Sequence, residues 1–163
     1  MFVGRKKELD ALNSRYKSNR KEFGVLYGRR RIGKSSILNE FLKDKKGILF
    51  QAKQDNSYGN LKSFSYEVDH LLNLPDTFVF ASWQHAFKSI QEYAKNERFV
   101  LVIDEYPYIV SQDSSFSSVL QEFIDHASDN MMVILSGSDI GFLQKEIQNH
   151  ASPLYKRRTF EME

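Results

Sequence analysis

Eight consecutive residues, Gly28-Arg29-Arg30-Arg31-Ile32-Gly33-Lys34-Ser35, match the phosphate-binding pattern G-x-x-x-x-G-K-[ST] at every fixed position. Gly28 and Gly33 tolerate backbone angles that a side chain forbids. Main-chain N–H groups from Arg30 to Ser36 are therefore expected to turn inward around a phosphate at the positive end of a helix. Lys34 is expected to reach the β and γ oxygens, and the Ser35 hydroxyl to ligate Mg²⁺. A glycine turn capped by serine, with Lys34 merely solvated, is the plain alternative.

A second cluster argues against that alternative. Phe99-Val100-Leu101-Val102-Ile103 is an apolar run suited to a strand covered on both faces, and it ends abruptly in Asp104-Glu105. Ionised groups at the end of a buried strand are costly unless a cation or a donor meets them, and ligands bind at the C-terminal edge of open parallel sheets. Asp104 is read as the acid that holds Mg²⁺, through water, and Glu105 as the base that orients and deprotonates an attacking water.

These groups need a sheet edge and a helix start to position them. Glu22 to Tyr27 reads as a short buried strand, and Ile37, Leu38, Phe41 and Leu42 recur at helical spacing after the loop. Leu9, Leu12 and Tyr16 mark an amphipathic helix over 4–19, followed by the strand, loop and helix unit over 22–44. Gly47 to Ala52 reads as a second strand, and Leu61, Phe64, Val68, Leu71 and Leu72 as a helix ending before Pro75. Another stripe runs from Trp83 to Ala94. The Asp-Glu strand occupies 99–105, a helix follows from Phe116 to Ala127, and a further strand covers 131–136. Strands and helices alternate throughout, which predicts a three-layer α/β/α fold with a mainly parallel sheet of about five strands. The aromatic stripes are assigned to the core.

The last of these apolar runs ends in Ser136-Gly137-Ser138-Asp139. Ser136 is the candidate sensor of the γ-phosphate or of the attacking water, while Ser138 or Asp139 is expected to cap the next helix.

Composition bounds the possibilities. With 163 residues, 41% hydrophobic and 13% aromatic, the chain suits one domain with one core. There is no cysteine, which excludes disulfides and thiolate metal sites and suits a reducing cytoplasm. His70, His85, His126 and His150 lie too far apart in sequence to suggest a zinc cluster. No apolar stretch approaches the ~20 residues of a membrane span. The net charge is only +2, yet residues 1–34 hold eleven Lys/Arg against three Asp/Glu, so the basic end is also the phosphate-binding end. A nucleic-acid face there is the alternative to simple attraction of polyphosphate.

Taken together, Phe2-Val3-Gly4-Arg5 with Glu8-Leu9, the Gly28 to Ser35 loop, Ile103-Asp104-Glu105-Tyr106-Pro107-Tyr108, Leu135-Ser136-Gly137-Ser138 and Ser152-Pro153-Leu154-Tyr155-Lys156-Arg157-Arg158 resemble the archaeal-type ATPases. These are P-loop NTPases, related to the AAA+ proteins and to the signal-transduction ATPases with numerous domains. The resemblance runs nearly end to end. It implies that Val3, Gly4 and Arg5 contact the base and the rest of the nucleotide. It also implies that Arg157 or Arg158 senses or stabilises the γ-phosphate, in cis or across a subunit contact. Lys156 stands where the family pattern has glycine, which leaves the choice between the two arginines open.

The family further implies a winged-helix domain and a nuclease-related domain after Glu163, so the chain is expected to be the ATPase part of a larger protein whose DNA contacts lie elsewhere. ATP and Mg²⁺ are the expected ligands. The leading expectation is an ATP-hydrolysing switch module, and its rival is a nucleotide-regulated DNA-binding or scaffold protein in which hydrolysis is incidental. A GTPase reading lacks the Asn-Lys-x-Asp guanine motif.

Overall fold

Side chains along a strand alternate between its two faces, and here both faces of nearly every strand are apolar, so helices must cover the sheet on each side. Residues 6–28, 33–75 and 78–162 are described by the computed structural model. Five strands, β1 (Glu22–Tyr27), β2 (Gly47–Gln51), β3 (Phe99–Asp104), β4 (Met131–Gly137) and β5 (Phe160–Met162), form one sheet in the order β2-β3-β4-β1-β5. Every pairing is parallel, which makes the sheet more uniform than the mainly parallel one anticipated.

Phe23, Val25, Leu101, Ile103, Val133 and Leu135 face a core closed by α3 (Ser57–Leu72), α4 (Trp83–Tyr93), α5 (Pro107–Gln112), α6 (Phe116–His126) and α7 (Ile140–Gln148). The intervening residues Leu26, Val100, Val102, Met132 and Ile134 meet Leu12 of α1 (Lys6–Tyr16) and Ile37, Leu38 and Phe41 of α2 (Lys34–Leu42). The result is the expected three-layer α/β/α arrangement.

Two local features fix the edges. Gly24 of β1 lies beneath the Phe160 ring, where an added Cβ would fall 2.0 Å from Cζ, so only glycine lets β5 dock there. At the N-terminal edge of the sheet the Arg98 guanidinium donates to the carbonyls of Arg15, Tyr16, Arg20 and Asp129. That one side chain ties the end of α1 and the starts of β1, β3 and β4 together.

The first helix, expected over 4–19, spans Lys6–Tyr16 within the described residues, and Asn19 in the left-handed region at φ 56° turns the chain into β1. Helix α5 was not anticipated. Pro107 occupies its first position, where the missing N–H is harmless.

Candidate functional site

The C-terminal ends of β1, β4, β3 and β2 lie side by side. Leu26 stands opposite Ser136, Ser136 opposite Asp104, and Asp104 opposite Gln51. The phosphate loop leaves β1 at this edge, and Gly28 N–H donates to Gly137 O at 3.2 Å. Gly33 then adopts φ 81° and ψ 18°, a left-handed conformation that an alanine reaches only at a cost of roughly 1–2 kcal/mol. Its carbonyl accepts the Ile37 N–H at 3.0 Å and starts α2. Gly33 has no side chain with which to cap that helix, so the first-turn N–H groups remain for an anion.

Lys34 follows directly and points back across the edge. Its ammonium lies 2.9 Å from Asp104 Oδ1 and 3.0 Å from Glu105 Oε1. All three residues are buried. Charges so enclosed persist only when paired and hydrogen-bonded, and each acid here is. Asp104 Oδ1 also accepts from Ser136 Oγ at 2.8 Å and from the Glu105 N–H at 3.0 Å. Glu105 Oε1 accepts the Ser138 N–H at 3.1 Å, and Oε2 accepts Ser138 Oγ at 3.2 Å. Glu105 itself sits at φ 56°, an uncommon conformation for a residue with a side chain.

A cavity of about 380 Å³ opens on this group, lined by Lys34, Ser35, Asp104 and Glu105 together with Gln51, Ala52, Lys53, Gln54 and Tyr108. The buried Asn60 side chain holds one rim by accepting the Lys53 N–H and donating to the Lys53 carbonyl, both at 3.0 Å. A larger hollow of about 730 Å³ lies beside α4, between Leu72, Phe78 and Tyr93, with no converging acid pair, so the chemistry points to the smaller cavity.

The structure thus brings Gly28, Gly33, Lys34, Ser35, Asp104, Glu105 and Ser136 to one edge. Ser36 lies exposed on the first turn of α2. Val3, Gly4, Arg5, Arg29, Arg30, Arg31 and Ile32 lie outside the described residues. Ser136 contacts Asp104, and the cap of α7 is Asp139, whose Oδ1 accepts the Phe142 N–H at 3.1 Å. Ser138, anticipated only as an alternative cap, instead holds Glu105.

Arg157 and Arg158 are elsewhere. They precede β5, where the Thr159 N–H donates to Phe23 O near the start of β1. They therefore lie at the N-terminal edge of the sheet. Five residues of extended chain, about 16 Å, separate that level from Gly28. Arg157 grips Asp125 at the end of α6 through Nε at 2.9 Å and Nη2 at 3.0 Å, and Arg158 lies 3.6 Å from Glu161. This two-pronged bond holds the Asp125 carboxyl below its usual range. The parallel direction of β5 places its leading residues, Arg157 and Arg158, at the edge opposite Gly28.

Sequence reasoning gave no role at this site to Gln51, Lys53, Gln54 and Tyr108, and gave Ser138 only a capping role. Gln51, Lys53 and Gln54 end or follow β2, a signal that becomes useful once the strand order is known.

Residues 2–163 match a family model described as an ATPase domain predominantly from Archaea. An uncharacterized protein of Methanocaldococcus jannaschii is 29% identical over 161 residues, which is 98% of this chain and 34% of that protein. The Walker-type ATPase of Pyrococcus abyssi superposes with a TM-score of 0.77 at 21% identity, covering 99% of this chain and 53% of its own. The Orc1 protein of Aeropyrum pernix, in a structure with DNA, superposes with a TM-score of 0.72 at 14% identity, covering 99% and 45% respectively. The chain thus spans about a third of the relative's length and about half of each solved protein.

Proposed function

The chain belongs to the family of ATPase domains found predominantly in Archaea, and from that membership we propose that it binds ATP with Mg²⁺ and hydrolyses it as the switch module of a regulatory or DNA-associated ATPase. The observation that carries this reading is the buried contact of Lys34 with Asp104 and Glu105 at the end of the phosphate loop.

Asp104 and Ser35 line one cavity and offer a carboxylate and a hydroxyl, the hard oxygen donors that suit Mg²⁺. Among the described residues no group of three or more His, Cys, Asp or Glu gathers as a metal cage, which fits an ion held by few protein ligands and by the nucleotide. These two residues would hold the ion, which supplies neutralising charge to the phosphates.

The chain's own groups do the rest. Lys34 leaves the acids for the β and γ oxygens. Glu105 accepts a proton from water as the water oxygen bonds to the γ-phosphorus. The bond from that phosphorus to the β–γ bridging oxygen breaks, and ADP departs with the electron pair. Ser136 orients Asp104. Arg157 or Arg158, at the opposite edge, is assigned to a site on a second copy or a partner domain. Val3, Gly4 and Arg5 are assigned to the base and the rest of the nucleotide.

Phosphate release and titration with a fluorescent ATP analogue test this reading. Glu105→Gln is expected to keep binding and lose turnover, whereas unchanged release removes Glu105 from the mechanism. Lys34→Ala is expected to lose nucleotide affinity, and an unaltered titration removes the loop assignment.

A second reading, DNA binding regulated by nucleotide, is favoured by one observation: the Aeropyrum pernix protein with this fold was solved in complex with DNA. A salt-dependent shift of duplex DNA by this chain alone supports it.

A further inference from the structure

The residues that lead directly into β1, β2 and β3 are Lys21, Lys46 and Arg98, so much of the N-terminal edge of the sheet begins in cations. The segment 15–21 adds Arg15, Lys17 and Arg20 and contains no acid. Neighbouring strands lie about 4.8 Å apart, so the order β2-β3-β4-β1 spreads Lys46, Arg98 and Lys21 over about 14 Å. Gly28 and the nucleotide cavity are at the other edge. The basic N-terminal part of the sequence is thus divided between two edges, of which only one faces that cavity.

Contacts join these segments into one patch. The Arg98 guanidinium, bonded to the carbonyls of Arg15, Tyr16, Arg20 and Asp129, stands 5.7 Å from the centre of the Tyr16 ring, and the Lys45 ammonium stands 5.1 Å from the same centre. Acids at this edge are already engaged. Asp44 holds Lys45 at 3.0 Å, Glu22 lies 3.6 Å from Arg15, Asp125 takes Arg157 at 2.9 Å, and Asp129 accepts the Lys21 N–H at 3.2 Å. Among the described residues no acid comes within 4.0 Å of the side-chain nitrogens of Lys17, Arg20, Lys21, Lys46 or Arg98. Lys17, Arg20 and Lys46 are exposed as well. Like charges gathered over so short a span repel one another, and an extended anion relieves that repulsion.

The large apolar side chains exposed among the described residues, Tyr58, Tyr66, Leu74 and Phe78, lie on α3 and the loop after it, and none belongs to the segments that enter the strands. Single-stranded nucleic acid asks for aromatic faces on which its bases stack, and a lipid surface asks for apolar anchors beside the cations. A duplex asks only for cations that meet its phosphates.

We propose that this edge binds the phosphodiester backbone of duplex DNA, without reading its bases, on the side of the sheet opposite the nucleotide cavity. The proposal rests on the DNA-binding reading above and gives it a surface on this chain.

The test is fluorescence anisotropy of a labelled duplex of about 20 base pairs, titrated with the whole chain over a series of sodium chloride concentrations. Five phosphate contacts predict that log K falls against log salt with a slope of about −4.5. Lys17→Gln, Arg20→Gln and Lys46→Gln are each expected to weaken binding about tenfold at 50 mM salt and to reduce the slope by about one. Arg20→Lys keeps the charge and is expected to keep the slope. Lys62→Gln removes an exposed cation from α3, away from this edge, and is expected to bind like wild type. Affinity for a fluorescent ATP analogue should stay within about twofold in all five variants, which also reports that they are folded.

Wild-type binding in the three edge variants overturns the proposed surface and leaves the DNA-binding reading standing. An equal loss in Lys62→Gln does the same, because net charge then accounts for the effect. Tighter binding to a single strand of the same length, or to phosphatidylserine vesicles, overturns the choice of occupant. Wild-type protein that leaves the duplex unshifted at 50 mM salt overturns the DNA-binding reading itself and the surface with it.

Discussion

Lys34 Nζ lies 2.9 Å from Asp104 Oδ1, so the ammonium of the phosphate loop stands beside the carboxylate assigned to the metal. Lys34 is a cation that faces both acids. Lys34→Ala should therefore leave two enclosed acids without one and lower stability by about 3–5 kcal/mol. Magnesium chloride should recover part of that loss. Thermal unfolding with and without the salt checks this, and an equal response in wild type and variant counts against it.

Ser136→Ala should weaken the hold on Asp104. A hydrogen bond to a charged group contributes about 1.5–3 kcal/mol, and part of that should appear in the magnesium dependence of ATP binding. Affinity for ADP without metal is expected to stay near wild type. Isothermal titration with and without Mg²⁺ separates the two, and a uniform loss under both conditions assigns Ser136 to general folding.

Gly24→Ala should dislodge β5, because the new Cβ meets the Phe160 ring at 2.0 Å. Overpacking of this kind costs about 1–3 kcal/mol. Phe160→Ala is also expected to destabilise, by loss of packing, yet the double variant should lose less than the sum of the two. Chemical denaturation of the four proteins measures the coupling, and simple additivity refutes the contact.

Asp125 carries the pH prediction. The hydrogen bonds from Arg157 outweigh the opposing effect of burial and hold its carboxyl low. A depressed acid stabilises the fold above its unfolded value, and that contribution disappears as the pH falls through the folded value. It is thus present at neutral pH and lost in the range below the ordinary ~3.9 of a free aspartate. The pair is largely exposed, so the effect on stability is small. Arg157→Gln should return the carboxyl toward its ordinary value, as followed by NMR titration of Asp125. An unchanged midpoint breaks the assignment.

Much of the site was legible because its members are contiguous or end a strand. The Gly28 to Ser35 loop is one unbroken motif, and Asp104-Glu105 closes an apolar run that admits one environment. Strand order was not legible. Nothing local in Gly47 to Gln51 says that Gln51 will stand opposite Asp104, so the wall formed by Gln51, Lys53 and Gln54 went unnoticed. Ser136 and Ser138 look alike in sequence, and only the turn after β4 decides that one meets Asp104 and the other Glu105. The paired arginines were recognised as basic, but their level along the sheet depends on β5 running parallel to β1. Helix α5 is short and opens with proline, which reads locally as a break.

The register of β1 also dictates when the site can come into being. Glu22 must wait for Met132 and Gly24 for Phe160, so the first strand to leave the ribosome is among the last to find its neighbours. Such long-range closure is slow to arrive during folding. Ser136 can stand between Leu26 and Asp104 only in a chain already translated through β4.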